Sequence, residues 1–151
     1  MRSKIFTSTN GWFNLTLPAE WEEYDSEEDG TYAFFNAASW TGNFRITSLQ
    51  VRPKKNEDST AKFINKELSE NEGATKLKIG EFDCVHYKKD IEQDGDQLVT
   101  YYWTTGEKDI LFICSFTIDK NMDNTKQNES ELEIVQGIIK SIEINRDKEI
   151  S

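Results

Sequence analysis

His86 is the only histidine in the chain, and it stands two residues after Cys84 in "FDCVHYKKD". A thiol with an imidazole beside it is the composition of a nucleophile and its base. In an extended strand the two side chains share a face but sit about 6.6–6.8 Å apart along it. A working pair needs about 2.6–3.2 Å between heteroatoms. Packing therefore outranks catalysis, with Cys84 as a small hydrophobe and His86 at a rim. Zinc could take Cys84, His86 and Cys114 as three ligands with one open position. No CxxC or HExxH spacing supports that site, and no metal or cofactor is expected. Serine catalysis lacks a GxSxG elbow, and phosphate cradling lacks both GxxxxGK[ST] and GxGxxG. The chemistry expected is that of a non-enzyme.

Acidic residues make the next pattern. "DSEEDG" (Asp25, Glu27, Asp29, Gly30) and "DIEQDG" (Asp90, Glu92, Asp94, Gly95) both read D-x-E-x-D-G. A calcium loop spaces acids in this way and places Gly sixth. Its twelfth position would be Asn36 or Tyr101 instead of a bidentate Glu, and strands flank both segments. Asp-Gly hairpin turns explain the pair with less, which leaves a calcium-responsive module as an alternative. Glu20 to Asp29 holds seven acids in ten residues. It reads as a solvated edge or, more sharply, as a docking site for a basic partner.

The aromatic residues are the remaining candidates for function. Neighbours such as Tyr101, Tyr102 and Trp103 point to opposite faces of a strand, so rings line both faces. Most belong to a core, and a minority could line a surface for a ligand or protein. Two constellations follow. Trp40 and Arg45, with Glu22, Glu23, Asp25, Glu27, Glu28 and Asp29, form a candidate interaction surface. Tyr101 and Trp103, with His86 and Cys84, form a candidate pocket for a small-molecule binder or an enzyme, the alternative to a protein-binding role.

The elements that must position these residues can be read from period and punctuation. "WFNLTL" alternates and closes at Pro18. A short strand covers Trp21 to Tyr24, and "TYAFFNA" follows the first Asp-Gly turn. A two-residue loop at Thr41-Gly42 would pair Trp40 with Asn43. Trp40 would then share a face with Asn36, Ala38 and Arg45, opposite Phe35, Phe44 and Ile46, at the edge of a second core. Packing is favoured for it over binding, although it is the best single surface position to mutate. "FRITSLQV" slips phase between Ile46 and Leu49, which predicts a bulge near Thr47 or Ser48. The first helix has Asp58 or Ser59 as cap, a stripe of Ala61, Ile64 and Leu68, and Gly73 past its end. Four strands follow, joined by Gly80, Asp94-Gly95 and Gly106, and the last of them, Ile110 to Ile113, is apolar on both faces and so central. The final helix starts at Asn128 or Ser130 and carries Leu132, Val135, Ile138, Ile139 and Ile142 on one face. These elements give an α+β protein with a mainly antiparallel sheet of about six strands covered by two helices.

At 151 residues the chain suits one domain, residues 1–151, with 1–9 and 145–151 as flexible ends. A net charge of -10 argues against nucleic acid and anionic membrane, because both demand a basic surface. The densest basic run, Arg52 to Lys55, is short. The first residues lack the apolar stretch of a secretory signal, and no later run approaches a membrane span. The expected location is the cytoplasm, where two cysteines remain thiols.

The order of elements, together with "GWFNLTLPAEW" from Gly11 to Trp21, resembles the PsbP-like fold, which includes the photosystem II extrinsic protein and a Ran-binding nuclear import factor. Gly11, Phe13, Leu15, Pro18 and Trp21 carry the resemblance at the opening. "AKFINKEL", the stretch from Ile79 to Phe116, and the helix ending "IIKSI" carry the rest. The resemblance implies an α/β/α sandwich around an antiparallel sheet, and proteins that mostly bind other proteins. It points to a small bacterial member, and it brings no catalytic residues with it. The expectation that follows is a non-enzymatic protein-interaction domain, acidic and cytoplasmic, of which an immunity or adaptor protein is one specific form.

Overall fold

A computed structural model describes residues 2–9, 11–24, 30–50 and 59–145. Seven strands make one antiparallel sheet: β3 (Trp21–Tyr24), β4 (Thr31–Asn36), β5 (Gly42–Gln50), β6 (Thr75–Ile79), β7 (Phe82–Gln93), β8 (Asp96–Glu107) and β9 (Ile110–Asp119). Their spatial order is β3-β4-β5-β9-β8-β7-β6. A second sheet has β2 (Phe13–Pro18) at its centre, with β1 (Ser3–Thr7) and β10 (Glu143–Ile144) on either side. The two helices are α1 (Ser59–Glu70) and α2 (Lys126–Lys140). The α+β class stands, but ten strands in two sheets replace the expected six in one.

Alternation along the strands assigns the faces. On the inner face of the large sheet Phe44, Ile46, Phe112, Cys114, Phe116 and Trp103 are buried. Against it pack Phe13, Leu15 and Leu17 of β2 and Val135, Ile138 and Ile139 of α2, in one continuous cluster. Phe13 meets Phe112 edge-on with ring centroids 5.0 Å apart. On the outer face α1 places Ile64 over Val85 and Tyr87, with Leu68 and Tyr102 at the margin. The helix therefore covers the β7–β8 part of that face. β9, apolar on both sides, is the middle strand of the seven, as its composition indicates.

Several local expectations are corrected. Ser3–Thr7, read as part of a flexible end, pairs along its whole length with β2. β5 runs in unbroken register against β9 from Gly42↔Ile118 to Gln50↔Ile110, so there is no bulge. The phase slip has another cause: Leu49 keeps its outward position and is exposed. α2 begins at Lys126 and not at Asn128 or Ser130, because the Thr125 side chain caps it by accepting from the Asn128 amide. Gly106 lies inside β8, and the turn that follows is at Lys108-Asp109, where Lys108 has φ 55. The second Asp-Gly pair does make a two-residue hairpin, with Asp94 at φ 52 and Gly95 at φ 85 between Gln93 and Asp96. The acidic segment Asp25 to Asp29, the cap at Asp58 and the Arg52–Lys55 run lie outside the described residues.

Candidate functional site

Strands β7 and β8 bring Cys84, His86, Tyr101 and Trp103 together on the inner face, as the sequence suggests, but they close the group. Cys84 and Trp103 are fully buried and Tyr101 nearly so. The His86 ring stacks on Trp103 at 4.8 Å and 18°. Its Nδ1 lies 2.8 Å from the Tyr102 carbonyl oxygen, whereas the Cys84 thiol donates to the Val85 carbonyl. The two side chains thus turn to different partners. Burial pushes the Cys84 thiol up to about 12 and holds His86 below its ordinary value of 6.5, the Tyr102 carbonyl opposing the latter shift. An unionised thiol is a poor nucleophile. Tyr101 is closed off by donating to the Asp123 carboxylate and accepting from Asn128 Nδ2, while Lys88 pairs with Asp123 at 3.0 Å. Cys84, Tyr101 and Trp103 are core, and His86 is half-buried at its rim.

The outer face is different. Register places Tyr24, Ala33, Arg45, Ser115 and Tyr102 in one row across five strands, and Phe35, Thr47, Ile113 and Thr117 flank that row. Phe35 thus lies beside Arg45, not opposite it as the sequence reading had it. Among the described residues α1 packs chiefly on β7 and β8, while Tyr24, Phe35, Arg45, Thr47 and Ile113 of this face stay half-buried. Trp40 is 65% exposed and Leu49 is 42% exposed, one at each end of β5. The preference for packing Trp40 is therefore overturned.

The β4–β5 connection explains how the indole is held out. Residues 37–41 form the loop, replacing the expected two-residue turn, and β4 pairs as Phe34↔Phe44. Asn36 Oδ1 accepts from the amides of Ala38 and Ser39, an Asx turn that sends the chain away from the ladder. The Trp40 ring then rests on Phe35 with centroids 4.7 Å apart and donates from Nε1 to Asn43 Oδ1 at 2.9 Å. From behind, α2 grips the same loop. Gln127 donates to the Ser39 hydroxyl at 2.9 Å, and Asn36 Nδ2 donates to Glu131 Oε1 at 3.3 Å. Glu131 is buried, which raises its carboxyl pKa, while hydrogen bonding to Asn36 and Thr41 opposes the rise.

Beside Trp40 lies a concavity of about 350 Å³, bounded across the sheet by Gln93, Leu98, Thr117 and Asp119. No motif announces these residues, since they come from three strands and meet only through register. Of the acidic candidates, Glu22 shares the outer face and pairs with Lys4 at 3.3 Å, and Glu23 points the other way. Asp25, Glu27, Glu28 and Asp29 lie outside the described residues. Among the described residues no three His, Cys, Asp or Glu side chains are grouped to hold an ion.

A family model described as "Domain of unknown function (DUF3805)" matches residues 1–150. Among curated proteins none matches the chain. A crystal structure from Bacteroides thetaiotaomicron is 32% identical, with a TM-score of 0.75 over 96% of this chain and 49% of its own. The chain thus spans about half the length of that relative. LpqN of Mycobacterium tuberculosis, described as involved in cell envelope biogenesis, has a TM-score of 0.58 at 10% identity, over 95% of this chain and 91% of its own. That likeness concerns fold alone. The solution structure of CyanoP, a PsbP of Synechocystis, covers 95% of this chain and 92% of its own at 10% identity and a TM-score of 0.49. The fold shared with LpqN is in keeping with the sandwich that the resemblance of the Gly11-to-Trp21 stretch implied.

Proposed function

The chain belongs to the family described as "Domain of unknown function (DUF3805)", and from its geometry we propose that it is a non-enzymatic protein-interaction domain working through the uncovered half of its outer sheet face. The observation that carries this reading is the strip along β5 that begins at Trp40 and ends at Leu49, both exposed, with Tyr24, Phe35 and Ile113 beside it. Large apolar side chains left on a rigid sheet and rimmed by polar groups are the surface that partners bury. The Cys84 thiol and the His86 imidazole make no hydrogen bond to each other, and burial raises the thiol pKa, which favours binding over catalysis.

A net charge of -10 makes a basic partner the better fit, because long-range attraction speeds its approach. An immunity or adaptor role would use the surface in this manner, and a cytoplasmic setting is part of the same proposal. The test is affinity capture at native expression level, comparing wild type with Leu49→Arg and with Lys66→Glu on the far side of α1. One protein captured by wild type and by Lys66→Glu, but lost with Leu49→Arg, is the expected result. Equal capture by all three would remove the face from the proposal.

A further inference from the structure

The concavity beside Trp40 has a chemistry of its own. Its floor is the outer face of β5, β9 and β8, where Asn43 pairs with Thr117 and Leu98 pairs with Asp119. One wall is the β4–β5 loop with Trp40, and the other is the end of β7 with Gln93. Four features bear on what it would hold. The lining includes two side-chain amides and two threonine hydroxyls, groups that both donate and accept. Arg45 and Asp119 contribute one cation and one carboxylate, so the site is close to neutral within a chain of net charge -10. The indole is fixed before any ligand arrives, by Phe35 beneath it and Asn43 at its edge, and its remaining surface faces solvent. The volume of about 350 Å³ lies near the lower limit of ligand sites, roughly 300–1,000 Å³.

Neutral charge balance disfavours a phosphate, a nucleotide or a polycation, each of which calls for a surface of one sign. Amide- and hydroxyl-rich lining disfavours a purely apolar ligand, which would leave those groups desolvated without partners. A ligand that fits both conditions presents many hydroxyls at its edge and an apolar C–H face to an aromatic ring. We propose that this concavity is a saccharide-binding site, in which Trp40 stacks under a sugar ring and Asn43, Gln93, Thr117, Arg45 and Asp119 take its hydroxyls. The polarised C–H bonds of a pyranose meet the electron-rich face of the indole, and the preset ring orientation lowers the entropy lost on binding. The site goes beyond the protein-interaction reading and does not depend on it. It occupies the Trp40 end of the face, whereas Leu49 marks the other end.

The test uses the intact protein alone. Cellobiose, maltose, chitobiose and mannobiose are titrated in turn while the indole N–H resonance of Trp40 and the side-chain amide resonances of Asn43 and Gln93 are followed by NMR. Saturable shifts at these three sites with at least one disaccharide are expected. Trp40→Ala should weaken that binding by at least about tenfold, equivalent to roughly 1.4 kcal/mol, Trp40→Phe should retain part of it, and Leu49→Arg should leave it unchanged. Should none of the four disaccharides move these resonances, the proposal fails. It fails equally if inorganic phosphate or tetramethylammonium saturates the site instead, or if saccharide binding survives Trp40→Ala. Because no partner protein is present, failure here leaves the protein-interaction reading standing, and loss of that reading leaves this test intact.

Discussion

Glu131 is the residue on which the presentation of Trp40 rests. It is buried on α2, accepts from Asn36, and so reaches the Asx turn that opens the β4–β5 loop. Burial is the main cause that lifts its pKa above the ordinary 4.5, with Glu20 adding to it, and hydrogen bonds to Asn36 and Thr41 opposing it. The folded chain therefore binds this proton more tightly than the unfolded one. Its contribution to stability is complete below the ordinary carboxyl value and is lost as pH rises through the raised one. Glu131→Gln keeps an oxygen for Asn36 and removes the charge. The variant should be more stable than wild type by roughly 1 kcal/mol at pH 7, and the difference should vanish below pH about 4. Urea unfolding of both proteins at the two pH values measures this. His86 shifts the opposite way, since its lowered pKa loses stability as pH falls below 6.5, but it is common to both proteins and cancels. A variant less stable than wild type at neutral pH would show that the carboxylate is held by more than Asn36 and Thr41.

At the scale of elements, the β8–β9 hairpin depends on one position. A Cβ on Gly106 would stand 2.1 Å from the Ile110 carbonyl oxygen, and its φ of 148 is a conformation that side chains rarely adopt. Gly106→Ala should cost about 3 kcal/mol or more, read as a fall in the urea midpoint at unchanged slope. The sequence shows Gly106 as punctuation but not its role, because a close backbone approach leaves no local pattern. Other elements were legible in their local chemistry. The Asp94-Gly95 turn follows from two residues that tolerate positive φ, and both helices follow from apolar spacing. β1 was hidden because Ser3–Thr7 is exposed at every other residue and is stabilised only by pairing with β2. The exposure of Trp40 was hidden for a related reason. Its loop is set by Asn36, Gln127 and Glu131, and the last two are about 90 residues away from it. Periodicity can report that α1 has an apolar face, but not that a helix of 12 residues covers only part of a seven-stranded sheet.

The whole molecule divides into a closed side and an open side. On the closed side, β2, α2 and the inner face of the large sheet share one continuous core. On the open side, half the outer face carries the candidate surface and the concavity. β1 and β10 are the two neighbours of β2, so the first and last described strands belong to the small sheet. Across β2 they are separated by two strand spacings, about 10 Å, and along it Ser3 and Ile144 pair near opposite ends. A linker of roughly ten residues would join them without strain. A circularly permuted protein, opened at the exposed Asp94-Gly95 tip and closed by such a linker, should therefore fold with the wild-type circular dichroism spectrum. Failure to fold would mean that the β7–β8 hairpin has to form as one continuous segment. Because both end strands flank β2, copies joined in tandem by such linkers would repeat the outer face, turning one weak contact into a multivalent one.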